Sequence, residues 1–204
     1  MDDGRSAADW IASTSFSAGE GFSEKDALAS GSFRLCHEHH HAIMQLIESG
    51  HAGSAFALLR PCFEALSRGI WCRDRAGLDA IEHFKSGQDT KPPDRLLREG
   101  SAPSNKQRVE HLKKLWKVSK SALHGYTHGG YRLILDRHDA NSMPSLIVAR
   151  AIRFATQTAL MSTYEIAVTF GNAENIARDA LLRIYRLVDP DDEVQRIMKD
   201  NGLA

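Results

Sequence analysis

SAFALLRPCFEALSRGIWCR, residues 54–73, places Phe56, Leu59, Phe63, Leu66 and Ile70 at alternating steps of three and four. That spacing traces one face of a helix. Ala55, Ala57, Leu58 and Cys62 keep the remaining sides small or apolar, so the helix is expected in the middle of a bundle. Arg60 and Glu64 interrupt it one turn apart. A charge in apolar surroundings must be paired and hydrogen-bonded. Two readings stand: an ion pair that locks helices together, and a polar site lined by a central helix. The acid lies C-terminal to the base, the weaker order for an exposed helical pair. Pro61, between them, removes a donor, frees the Ala57 carbonyl and predicts a kink.

On the N-terminal side, residues 1–22 read as a flexible arm with a short helix around Ala7–Ala12. Ser23 reads as the cap of a helix from about Glu24 to Glu48, weakened at Gly31 and closed by Gly50. The brief link through Gly53 makes this helix a neighbour of the central one. On the C-terminal side, Gly77 starts a shorter helix and Asp94–Glu99 form a turn or two. Asn105 opens a helix to about Leu123, which Gly125 is expected to end. Pro144 marks the start of a helix running to Phe170, and a last helix ends at Leu187 before a tail over 189–204. No stretch alternates as a strand does. The expected fold is all-α, a bundle of five or six principal helices over residues 23–188.

The chain has 204 residues, 26 basic against 26 acidic, and 42% apolar content. That is enough for one sizeable core. The neutral balance argues against general adhesion to nucleic acid or membrane, and no apolar run approaches a bilayer span. The odd count of three cysteines without a CxxC pair, and an acidic start without an apolar leader, point to reduced thiols in a cytoplasm.

Three constellations could carry chemistry. His37, Glu38 and His41 include a Glu-x-x-His, one half of a di-iron carboxylate pattern. No second Glu-x-x-His falls within an expected helix, since Glu48–His51 straddles the stop at Gly50, so we expect no metal and no cofactor, and read a polar helix face with one or two inward histidines. The second is HGYTHGGY, residues 124–131, taken with Arg60 and Glu64. Arginine binds phosphate as a fork and histidine moves protons near neutral pH. Arg60 would hold phosphate, His128 would transfer protons and Glu64 would orient, with His124 and Tyr126 secondary. Such a set suits cleavage of a phosphodiester by its own 2′-hydroxyl. The same residues could instead lock helices in a non-catalytic homodimeric regulatory bundle. The third feature is charge: residues 104–137 hold eight Lys or Arg against Glu110 and Asp136. A solvated helix face and an RNA-tracking patch both fit.

The Arg-Pro-x-x-Glu helix at Arg60–Glu64, followed by Tyr-Thr-His-Gly-Gly at Tyr126–Gly130, resembles a group of uncharacterised bacterial helical proteins, a domain-of-unknown-function class. The resemblance covers roughly residues 36–186 and implies no agreed activity. More distantly, the arrangement is similar to HEPN domains, helical bundles often found as dimeric ribonucleases with an Arg-x4–6-His motif. Here Arg60 and His128 come from separate elements. The resemblance implies an arginine and a histidine beside a shared pocket, with RNA or another phosphate-containing ligand and a second copy as partners.

Overall fold

A computed structural model describes residues 2–14, 23–88, 91–131, 133–134, 144–170 and 174–187. Every regular element among them is a helix. They are α1 (Asp2–Ser13), α2 (Glu24–Glu48), α3 (Ala52–Ala57), α4 (Leu59–Asp74), α5 (Leu78–Lys85), α6 (Pro93–Glu99), α7 (Lys106–Thr127), α8 (Ser145–Phe170) and α9 (Glu174–Leu187). The expectation of an all-helical bundle holds.

Helix α4 is the axis. It packs against α2, α3, α6, α7 and α8, while α1 and α9 lie on α8. Phe56, Leu59, Phe63, Leu66 and Ile70, the face read from the sequence, are buried. Phe63 stacks on Trp116 from α7 at 5.4 Å and tilts against Phe154 from α8 at 5.7 Å. Three helices thus meet on one side chain.

The central stretch is broken rather than merely kinked. Leu58 separates α3 from α4, and Pro61 becomes the third residue of α4. In a first turn its missing N–H has no intrahelical acceptor to lose, so the chain starts a new helix there. Helix α2 is continuous through Gly31. Its packing on α4 and α8 outweighs the local weakness of one glycine. Ser23 caps α2 in a reciprocal box with Asp26 at 3.3 and 3.2 Å. Gly50 turns the chain with φ +78°.

The arm expected over residues 1–22 begins as α1, which buries Ala7, Ala8 and Ile11. Residues 15–22 and the tail over 189–204 lie outside the described residues.

Gly69 sets how closely α2 and α4 approach. A methyl group there would fall 2.3 Å from Phe33 Cε1, and both residues are fully buried. Gly69→Ala improves helix propensity by about 1 kcal/mol, yet overpacking is expected to win by about 1–3 kcal/mol. Urea unfolding would check this; a variant more stable than the parent would contradict the close approach.

Candidate functional site

Arg60 and Glu64 share one face of α4, and the Arg60 Nε–H donates to Glu64 Oε1 at 2.8 Å. Their side chains are 25% and 39% exposed. The pair sits at the rim of the core, not inside it.

The other half comes from the end of α7, which runs on through Gly125 to Thr127. The expected stop at Gly125 is therefore corrected. Two bonds explain the extension. The His128 N–H reaches the His124 carbonyl at 3.1 Å, and the Gly130 N–H reaches the Gly125 carbonyl at 2.6 Å. Gly129 takes φ +63°, so the helix ends in a glycine stop. Gly130 then lies against Gly125, where a Cβ would fall 3.0 Å from its backbone.

Because this turn is helical, His124 and His128 stand i,i+4 on one face. Their rings approach with centroids 4.5 Å apart, and both side chains are exposed. Arg60 Nη1 lies 3.0 Å from His124 Nδ1. A guanidinium only donates, so Nδ1 accepts and the neutral ring carries its proton on Nε2. The chain Glu64–Arg60–His124–His128 is thereby continuous. Arg60 contacts His128 through His124 rather than directly. Tyr126 packs its ring on Phe56 at 5.0 Å, and Thr127 Oγ1 donates back to Leu123 O at 2.9 Å.

The histidines of α2 diverge. His40 is buried with Nε2 at 3.2 Å from Thr156 Oγ1, and His37 Nε2 lies 3.1 Å from Thr163 Oγ1. His41 is exposed beside Gln45. Among the described residues no three His, Cys, Asp or Glu side chains group to hold a metal ion.

Burial pushes the His40 imidazole down to about 4, helped by neighbouring His37 and His41. Burial likewise pushes His37 down to about 4, against a hydrogen bond to the Ala159 backbone that works the other way. In the unfolded chain both return to about 6.5. Between those values the unfolded state binds more protons, so stability rises with pH across that window and is fully present above it. At about 1.4 kcal/mol per unit, acidification from pH 7 to 4.5 is expected to cost several kcal/mol. Urea midpoints across that range would show it, and His40→Gln should flatten the slope. A pH-independent midpoint would contradict neutral buried rings.

Sequence reasoning missed a buried network and a groove. Glu165 is fully buried in α8, 2.7 Å from Arg73 Nη2 and 3.0 Å from Arg108 Nε. Arg73 also donates to Asp74 at 2.7 and 2.9 Å and to Thr169 Oγ1 at 3.0 Å. Asn105 joins Asp74 to the Gly100 carbonyl. Burial alone would lower the Arg73 guanidinium, but the bonds to Asp74 and the charge of Glu165 raise it. A glutamate inside the apolar run of α8 was the available signal.

The groove, about 500 Å³, runs between α2, α4, α5 and α6. Arg60 and Glu64 line it together with His39 and Arg68, whereas His124 and His128 lie outside its lining.

Fold and site together define an all-helical bundle with an Arg–Glu–His cluster where α4 meets the end of α7. The chain belongs to the Family of unknown function (DUF6988), matched over residues 33–186, a span that holds every member of the cluster. No curated protein and no solved structure matches it.

Proposed function

We propose that the protein is a cytoplasmic, HEPN-like RNA-cleaving protein acting through Arg60, Glu64, His124 and His128 without a metal. The observation that carries this reading is the 3.0 Å contact of Arg60 Nη1 with His124 Nδ1, beside the tilted His128 ring. It sets a guanidinium and two imidazoles at one exposed edge.

The steps follow from those atoms. His128 takes the proton of a 2′-hydroxyl as its oxygen bonds to phosphorus. His128, now an imidazolium, returns that proton to the departing 5′-oxygen as the P–O bond breaks, while neutral His124 offers its Nε2–H to a phosphate oxygen. Two of the five Arg60 donors are engaged by Glu64 and His124; others of the fork can meet the charge that grows on the phosphate oxygens. Glu64 keeps the fork in place. Exposed Lys114, Lys117 and Lys120 lead along α7 to His124, which supports a backbone-tracking approach for RNA.

The test is incubation of the protein with labelled RNA and excess chelator, beside His128→Ala. Cleavage that requires His128 supports the reading.

A second reading, a non-catalytic homodimeric regulatory bundle, draws on three exposed apolar side chains near the end of α7. Val118 and Tyr131 are each 79% exposed and Ile134 is 63% exposed. It expects a concentration-dependent dimer with RNA left intact.

A further inference from the structure

Arg60, Glu64 and Arg68 recur every fourth residue, so successive turns of α4 present a cation, an acid and a cation to the groove. Leu35 and His39 of α2 face them, and Phe84, Lys91 and Leu96 complete the walls. The two inner cations are held in place by the chain itself. The Arg68 guanidinium lies 4.7 Å from the Phe84 ring centroid and 5.4 Å from that of Trp71. Lys91 Nζ sits 4.2 Å over the same indole and 3.3 Å from Glu99 Oε2. Glu99 Oε2 in turn accepts the Trp71 Nε1–H at 3.1 Å. Trp71 is therefore a shared floor for Arg68 and Lys91, and little ordering remains for a ligand to impose.

The walls are apolar where the cations are not. Leu35 is 44% exposed, an aliphatic surface left to water within a concave site. With His39 neutral, Arg60, Arg68 and Lys91 against Glu64 leave the lining two positive charges in excess. Burial does lower the His39 imidazole below its ordinary value, against the pull of Glu38. A volume of about 500 Å³ lies within the usual range of small-molecule sites.

We propose that this groove binds a phosphomonoester carried on a flat, largely apolar body. The dianionic phosphate sits at Arg68 and Lys91. The body lies against Leu35, Phe84 and Pro61, and Glu64 accepts an O–H or N–H from it. The net charge of the lining selects a dianion over a monoanionic carboxylate, and the apolar walls select an organic ester over free phosphate. The site shares Arg60 and Glu64 with the cleavage site but does not require that reaction.

The experiment is calorimetric titration of the full chain at low salt with four probes: adenosine 5′-monophosphate, adenosine, inorganic phosphate and benzoate. The monophosphate is expected to bind at least about tenfold more tightly than each of the others, the worth of one charge-assisted hydrogen bond or more. Arg68→Gln should weaken it by a similar factor. Leu35→Glu, on an exposed α2 position that does not endanger folding, should do the same by placing an acid in the wall. His128→Ala should leave this binding unchanged while removing RNA cleavage, so the two proposals fail separately. Equal binding of benzoate, equal binding of inorganic phosphate, or a Leu35→Glu variant that binds the monophosphate normally would overturn the proposal.

Discussion

Arg73→Met is expected to lower the unfolding free energy by about 3–5 kcal/mol, the usual result of removing one partner from a buried ion pair. The reason lies in what remains. Glu165 is fully buried in α8, and Arg73 Nη2 is its 2.7 Å neighbour. Asp74 loses its two-point contact with the same guanidinium. Arg108 still reaches Glu165 Oε1, so the charge is half compensated and the loss stays short of complete unfolding. Equilibrium unfolding in urea would measure it. Combining Arg73→Met with Glu165→Gln should recover part of the loss, because the stranded charge is gone. A single-mutant loss below about 1 kcal/mol, the range of exposed pairs, would show that the network does not hold α4, α7 and α8 together.

Arg60→Ala is expected to act in the opposite way, with a small effect on folding and a large one on chemistry. The side chains of the pair with Glu64 are 25% and 39% exposed. After solvent screening its loss should cost no more than about 1 kcal/mol. RNA cleavage should fall by about a hundredfold or more, the usual consequence of removing a charge stabiliser. Arg60→Lys should recover little, since an ammonium cannot hold Glu64 and His124 Nδ1 as the planar fork does. Gel analysis of labelled RNA checks both variants. Unchanged cleavage with a large drop in stability would make Arg60 a structural lock.

What could be read from the sequence follows the range of the signals. Ser23, Gly50, Gly77, Asn105 and Pro144 mark helix boundaries through neighbours within one turn, and the structure has boundaries at each. The buried face of α4 was legible because its spacing repeats. The break at Leu58 was half legible: Pro61 announces a disturbance, but whether a helix bends or restarts depends on what packs around it. The continuation of α7 past Gly125 was hidden because glycine is tolerated in a helix when bonds beyond it, here from His128 and Gly130, close the turn. That misreading matters for the site. A loop would leave His124 and His128 unrelated, whereas a helical turn brings their rings to 4.5 Å.

The remainder needed three dimensions. Arg73, Asn105, Arg108 and Glu165 come from α4, the start of α7 and α8, and no spacing links them. The groove needs four elements to exist. Its cations, Arg68 and Lys91, look in the sequence like ordinary surface charge; only their shared seat on Trp71 distinguishes them. The same holds for His39, which reads as part of a histidine run and turns out to face a different space from His37 and His40.

The most direct measurement is cleavage of end-labelled RNA by the purified protein in excess chelator, with the product ends identified. The expected products are 5′-fragments ending in a 2′,3′-cyclic phosphate, absent with a folded His128→Ala variant. RNA left intact by the parent protein, or cut equally well by the variant, would contradict it.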